Sequence, residues 1–361
     1  MYQKLTLRNY KRVRTKYASQ IADDLFNPDS FITDMKPFFD DRERKYLAYT
    51  SEKNEIDDRE KPDTKIIKVN NKIHAGMYNV VVDQAVNHFV GIPVKWDYDV
   101  SEQKRTILQR IRDGIFGNKV AAPVVPTEFD TLVEYLDSMR FAMLDPESAT
   151  FQGACGVAFR LLEPVKVEGA WDLWAANIEP WRAEKYENGA VYIREKYDTL
   201  MQKYYEELKV VTPKRIVTYC RYIDAVTVDL GKFKKMDDVK NPLGTIYLAE
   251  FKNNTNRYCD FEVAEEISDA IDRVMSDQQN EIEQFKLAYM YIAGAQLSLE
   301  DAKKMMNSLG IINLTDANGK AGYVTKELPK EFNEFHIDLL KKQFYTICKA
   351  IDFNDEVFKS N

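Results

Sequence analysis

The sequence predicts an α+β chain in which helices come first, antiparallel strands fill the middle and a long helix follows. Three features predict it: helical periodicity between residues 38 and 90, a switch to β-branched and aromatic runs from Val157, and a stretch from Asp260 to Tyr291 without Gly or Pro. At 361 residues, 45% hydrophobic and 30% charged, the chain has enough apolar surface for two or three packed units and is no candidate for global disorder.

The first residues break the acidic trend of a chain whose net charge is −7. Lys4, Arg8, Lys11, Arg12, Arg14 and Lys16 precede the first acidic residue, Asp23, and Tyr2, Tyr10 and Tyr17 are interleaved with them. Residues 1–37 therefore read as a basic N-terminal arm. A solvated terminal segment is the plain reading, and contact with DNA or an acidic partner surface is the alternative.

Residues 38–49 are helical and charge-rich, and the polar stretch from Ser51 to Lys65, with Pro62, reads as an exposed linker. A second helix is expected to be capped by Asn70 or Asn71, to carry Ile73, Met77, Val80, Val81, Ala85 and Val86 on its apolar side, and to stop at Gly91 and Pro93. Further helices are expected over 106–112 and 129–144, separated by a loop at 121–127. The runs 157–162, 171–176, 190–197, 204–211, 216–222 and 225–230 read as antiparallel strands between Gly, Pro, Asn and Asp. Trp171, Trp174 and Trp181 fall within or beside such runs and are expected in the core rather than on a base-stacking platform.

The stretch from Asp260 to Tyr291 permits a helix of ~30 residues, about 45 Å long. Its apolar stripe would be Ala264, Ile267, Ile271, Val274, Gln278, Ile282 and Phe285; the opposite face reads Glu262, Glu265, Asp269, Asp272, Ser276, Asn280 and Glu283, with Lys286 at its end. Stacked like charges cost an isolated helix a few tenths of a kcal/mol per pair. The acidic face is either a chance feature of an acidic protein or a surface that must not hold polyanions. Beyond it, Ser298 with Asp301 is a capping box, Ile311 to Leu314 and Gly322 to Thr325 flank the turn Asp316 to Gly319, and a last helix is expected over 332–351 with Phe332, His336, Leu339, Leu340, Gln343 and Ile347 on one side.

Composition narrows the function classes. Cys155, Cys220, Cys259 and Cys348 are widely spaced with no CxxC pair, and only His74, His88 and His336 are available. No catalytic residue, metal ligand set or cofactor site is therefore expected, and the cysteines read as reduced thiols. A metal-dependent nuclease built on clusters such as Asp57–Asp58 or Glu265–Glu266 is the enzymatic alternative, lacking His partners. No run is long enough to span a membrane and no secretory signal is visible, so no membrane partner is expected.

The chain resembles the portal family of tailed bacteriophages and prophages, of the type with a wing, a stem and a clip. Three stretches carry the resemblance: Val69 to Ile73 leading to Asn87-His88-Phe89-Val90-Gly91-Ile92-Pro93-Val94; the segment Asn241 to Asn254 with its Leu-Gly and Phe-Lys-Asn-Asn elements; and the long helix with its Asp-rich run from Ile271 to Asn280. The sequence departs from the family pattern at Tyr247, where proline is common, and at the 121–127 loop. The chain stops at Asn361, where members of the family continue into a tunnel loop, a closing part of the wing and a crown, so the crown is expected to be absent.

The resemblance implies a β-rich wing over 38–258, a stem helix over 259–292, a clip over 293–331 and a second stem helix with the chain end over 332–361. It further implies a homo-oligomeric ring, usually dodecameric, at one capsid vertex of the virion, assembled in the host cytoplasm. The expected partners are the large terminase, capsid and scaffolding proteins, a head-completion adaptor, and double-stranded DNA passing through without specific binding. On that reading the stem residues Glu262 to Lys286 named above line the channel or meet a neighbouring subunit. The clip residues Lys303, Lys304, Asn307, Asp316, Asn318 and Lys320 dock partners. A head-completion adaptor or minor capsid ring protein is the alternative.

Overall fold

The computed structural model describes residues 6–60, 69–96, 127–223, 231–285, 289–293, 298, 300, 320–324 and 330–353. The chain divides into two compact units, the first made of residues 1–50 and 78–262, the second of residues 51–77 and 263–361. Residues 51–77, expected within the 38–258 segment, group instead with the second unit.

The first unit opens with two helices, α1 (Leu7–Ala22) and α2 (Pro28–Tyr49). The basic arm is thus a packed helix and not a solvated tail: Tyr10, Tyr17 and Ile21 are buried along one side of α1. The α2 helix starts well before the expected Phe38, because Asn27 caps it by accepting from Ser30 N at 3.0 Å and Pro28 sits where a missing N–H costs nothing. Pro37 lies inside that helix, a position where proline ordinarily signals a boundary, and this misplaced the expected start.

Helix α3 spans Met77–Val90, α4 Thr127–Ser138 and α5 Phe141–Cys155. The single helix expected over 129–144 is two helices, broken at Arg140, whose φ of 60° is left-handed. The segment expected over 106–112 lies outside the described residues. At the end of α5, Gly156 adopts φ 78°, and a Cβ there would lie 2.1 Å from the Arg257 carbonyl oxygen, so only glycine fits this approach of two backbones.

Two antiparallel sheets follow. One has the order β2-β1-β8, built from β1 (Val157–Val167), β2 (Ala170–Ile178) and β8 (Leu248–Lys252). The other has the order β3-β4-β5-β6-β7, from β3 (Ala183–Lys185), β4 (Ala190–Asp198), β5 (Lys203–Val211), β6 (Arg215–Tyr222) and β7 (Lys234–Lys240). Alternation along the strands sends successive side chains to opposite faces. On β4, Val191 and Ile193 join Tyr17, Phe31, Met35 and Phe39 of α1 and α2, whereas Ala190 and Tyr192 join Phe159, Leu161 and Leu248 of the first sheet. That sheet is therefore covered on both faces here, which explains why Ala190-Val191-Tyr192-Ile193 is a continuous apolar run.

Two of the three expected core tryptophans are not in the core. Trp171 is 58% and Trp174 46% exposed, because β2 is an edge strand with one neighbour and little above it. Trp181 does pack inward, its ring 5.1 Å from Tyr46 and 6.1 Å from Phe151. The strand expected at 225–230 lies outside the described residues.

Buried charge ties the helices of this unit to its sheet. Glu184 is fully buried, accepts from the Tyr10 hydroxyl at 2.9 Å and from Arg42 Nη2 at 2.9 Å, and is also bonded by Arg14. Arg42 in turn donates to the Pro180 carbonyl at 2.8 Å. Burial acts to raise the Glu184 pKa, but Arg42, Arg14 and Arg257 outweigh it and hold the group below its ordinary value.

The second unit contains α6 (Glu265–Phe285), β9 (Tyr289–Ala293), β10 (Lys320–Val324) and α7 (Lys330–Cys348). The helix expected across Asp260 to Tyr291 is shorter at both ends: 260–264 are turn, and 289–293 form a strand. Tyr-Met-Tyr-Ile-Ala is aromatic and β-branched, and once a partner strand is available it pairs rather than coils. The strand expected at Gly322–Thr325 is present as β10 and pairs with β9; Ile311–Leu314, expected beside it, lie outside the described residues. Helices α6 and α7 pack against each other. The inward side of α7 centres on Phe344, fully buried, whereas Leu339 and Ile347 of the expected apolar side are 40% and 43% exposed. The helix is turned by about one residue, roughly 100°, from the expected orientation.

Candidate functional site

The flank of α6 that the sequence marks as acidic is where the structure departs furthest from expectation. Ser268, Asp272, Ser276 and Asn280 recur every fourth residue, which aligns them as one stripe along the helix. All are buried, at 1%, 1%, 0% and 7% exposure. The polar atoms of Asp272, Ser276 and Asn280 face residues 71–75, part of a segment outside any helix or strand.

The contacts form a ladder. Ala75 N donates to Asp272 Oδ1 at 2.7 Å, Ile73 N to Ser276 Oγ at 2.9 Å and Asn71 N to Asn280 Oδ1 at 2.7 Å. Alternate amides of an extended backbone are about 6.6 Å apart and helix positions four apart about 6.0 Å, so the two repeats match closely over three rungs. Buried polar side chains are tolerated because each rung is a satisfied hydrogen bond. These amides are therefore committed to α6. That is why Asn70 and Asn71 do not cap a helix, and α3 begins only at Met77, after Gly76 at φ 67°.

Asp272 is the charged rung. Its second oxygen, Oδ2, accepts from Asn54 Nδ2 at 3.0 Å, while Asn54 Oδ1 is buried without a partner. Burial is the main influence on Asp272 and raises its pKa, opposed by the Ala75 N–H, Asn54 and His74. His74 itself bridges the Ser51 carbonyl through Nδ1 at 2.9 Å and Asp57 through Nε2 at 2.9 Å. On the outer side of the same unit, Arg273 pairs with Glu55 at 2.7 Å.

The other stem residues singled out from sequence have separate fates. Glu262 precedes the helix and pairs with Lys45 of the first unit's α2 at 2.7 Å. Glu265, Asp269 and Glu283 are half-buried, and Gln279 donates to Glu283 at 3.3 Å. Lys286 lies outside the described residues, as do Lys303, Lys304, Asn307, Asp316, Asn318 and Lys4; Lys320 opens β10. Of the expected apolar stripe, Ala264 and Ile271 are fully buried, but Ile282 is 45% exposed. The helix thus buries a polar stripe beside its apolar one, a choice that no hydrophobicity pattern signals. The only sequence cue was the four-residue recurrence of Ser, Asp, Ser and Asn.

In the basic helix, Arg14 turns inward to Glu184 and Lys16 pairs with Asp34 at 2.6 Å. Arg8, Lys11 and Arg12 remain exposed. Among the described residues no helix is long and apolar enough to cross a membrane.

Two comparisons with known proteins bear on this architecture. A portal protein of Clostridium phage phiCD119 is 26% identical over 168 residues, a match that covers 42% of this chain and 37% of that relative. The chain thus matches little more than a third of the length of that curated relative. The family described as phage portal protein, SPP1 Gp6-like, matches residues 178–361, from the end of β2 through the second sheet, the laddered helix α6 and the closing helix α7. Because that match takes in half of the sequence, the chain belongs to the SPP1 Gp6-like phage portal protein family.

Proposed function

We propose that the chain is the body of a portal subunit, copies of which form a ring at one capsid vertex through which double-stranded DNA enters and leaves. The observation that carries this reading is the family match over residues 178–361. The subunit acts through shape and charge, with α6 and α7 as stem, residues 293–331 as the partner-docking clip and the first unit as wing. Its partners are other copies of itself, capsid and scaffolding proteins, the terminase motor and a head-completion adaptor.

Exposed apolar side chains on α7 support assembly: Phe335 is 68%, Leu339 40% and Ile347 43% exposed. Positions four and eight apart on a helix share a flank, and a contiguous apolar flank in water favours association. The purified chain is expected to form rings with a central hole in negative-stain images, and Phe335→Asp with Leu339→Asp to shift it to smaller species on native mass measurement. A wild-type chain that stays monomeric at high concentration sinks the reading.

The channel surface needs revision from the sequence expectation. Asp272, Ser276 and Asn280 are buried against residues 71–75, so the part of the expected acidic face that keeps solvent exposure, Glu265, Asp269 and Glu283, is the part we assign to face DNA. Replacing those three by Lys, with Asp272 untouched, is expected to slow DNA packaging several-fold in a complementation assay while rings still form. Normal packaging by that variant would place the channel surface elsewhere.

A further inference from the structure

Helix α1 carries five basic residues between Arg8 and Lys16 and no acidic residue anywhere along its length, in a chain of net charge −7. The fold separates them by role. Arg14 is drawn inward to Glu184, with 18% of its side chain exposed, and Lys16 is held by Asp34. Arg8, Lys11 and Arg12 stay on the solvent side, and among the described residues none of the three forms an ion pair. Spaced i, i+3 and i+4, they share one flank, a grouping that costs an isolated helix a few tenths of a kcal/mol per like-charged pair.

We propose that this flank of α1 is a docking surface for the phosphate backbone of double-stranded DNA. Three observations point to that occupant. Charge complementarity comes first: every charged side chain of α1 is basic where the chain as a whole is acidic, and Asp34 of α2, which bonds Lys16 and feels Arg12, offsets only part of that charge. Second, exposed Asn9 and Ser19 on the same helix are short hydrogen-bonding side chains of the kind that contact phosphate and sugar oxygens, whereas the Thr15 hydroxyl is already given to the Lys11 carbonyl at 3.0 Å. Third, the aromatic residues Tyr10 and Tyr17 are buried, so no ring is presented for stacking an unpaired base. A duplex backbone fits this surface better than a single strand does.

The helix is also seated rigidly enough to present the charges in a fixed row. Tyr17 is fully buried and packs edge-on against Phe31 with centroids 5.1 Å apart, and the Tyr10 hydroxyl is bonded to Glu184. Arg8 and Arg12 are one turn apart, about 6 Å along the axis. The contact is independent of base sequence and is an attractive site distinct from the repelling passage proposed above. It rests on the portal reading only in that DNA is then the polyanion at hand.

The test is binding of the full chain to a fluorescent duplex of random sequence, read by anisotropy between about 50 and 200 mM salt. Arg8→Gln/Lys11→Gln/Arg12→Gln is expected to weaken binding at the lowest salt by about 10-fold or more and to flatten the salt slope by about 2.7, at 0.9 per lost phosphate contact. Arg8→Lys/Arg12→Lys is expected to keep both. The replaced side chains are exposed, so circular dichroism and the ring images should match wild type. Unchanged affinity and slope in the Gln variant overturn the proposal, as does tighter binding to an acidic peptide or to single-stranded DNA than to the duplex. Rings that form without duplex binding would sink this inference and spare the portal reading; duplex binding through α1 without rings would do the reverse.

Discussion

Glu184→Gln is expected to destabilise the first unit by about 3–5 kcal/mol, the range for removing one partner of a buried ion pair. The carboxylate is wholly inaccessible, and its removal strands Arg42, itself 6% exposed, with its charge uncompensated. Arg14 and the Tyr10 hydroxyl lose the same acceptor, so α1, α2 and β3 all loosen together. Urea unfolding of the first unit measures the effect, and Arg42→Met in the Glu184→Gln background is expected to recover part of it, because the orphaned charge is then gone. A loss below about 1 kcal/mol would mean that water reaches the cluster and the arginines are solvated.

The sign of its pH dependence follows from the depressed pKa. Arg42, Arg14 and Arg257 overcome the burial that would raise it, so the stabilisation is present above the unfolded value, about 4.3, and is lost as pH falls through the lower folded value. The gap between wild type and Glu184→Gln should stay constant above about pH 5 and narrow as pH falls below it.

Asp272→Ala is expected to cost the second unit about 2–4 kcal/mol, since the buried Asn54 amide and the half-buried Ala75 N–H each lose their acceptor. Asp272→Asn should behave differently. The Asn54 side-chain oxygen has no partner, so an amide turn at Asn54 lets it accept from the new Asn nitrogen while Ala75 N keeps its acceptor. Burial raises the Asp272 pKa, so its ionisation is disfavoured in the folded chain and its contribution falls as pH climbs from the unfolded value, about 3.9, through the raised folded one. Relative to wild type, Asp272→Asn should therefore gain stability as pH rises from about 4 through the raised folded-state value. Amide exchange at Ala75, Ile73 and Asn71 reads the ladder directly: protection is expected to collapse in the Ala variant and persist in the Asn variant. Equal protection in all three would mean that the ladder does not hold this segment.

Much of the first unit was legible in the sequence because its strands follow the period of the pleat. The runs expected at 157–162, 171–176, 190–197, 204–211 and 216–222 are all strands, and the β-branched and aromatic residues in them pack on two faces. Strand β7 was not visible: Lys234 to Lys240 is exposed along its length and mostly charged, as befits an edge, and carries no apolar alternation. Pro37 hid the first half of α2, and Tyr289–Ala293 hid a strand inside what reads as uninterrupted helix.

By itself the sequence determined the α+β order of elements, the amphipathic character of α6, the concentration of positive charge before Asp23 and the resemblance to portal proteins, because these depend on periodicity, composition and short motifs within one segment. Only the tertiary structure decided which flank of α6 is open. Asp272, Ser276 and Asn280 look outward-facing by polarity, yet their partners are amides 197, 203 and 209 positions away. A backbone N–H is the same in every residue but proline, so no side-chain pattern announces it, and a polar stripe that binds backbone reads like one that faces water.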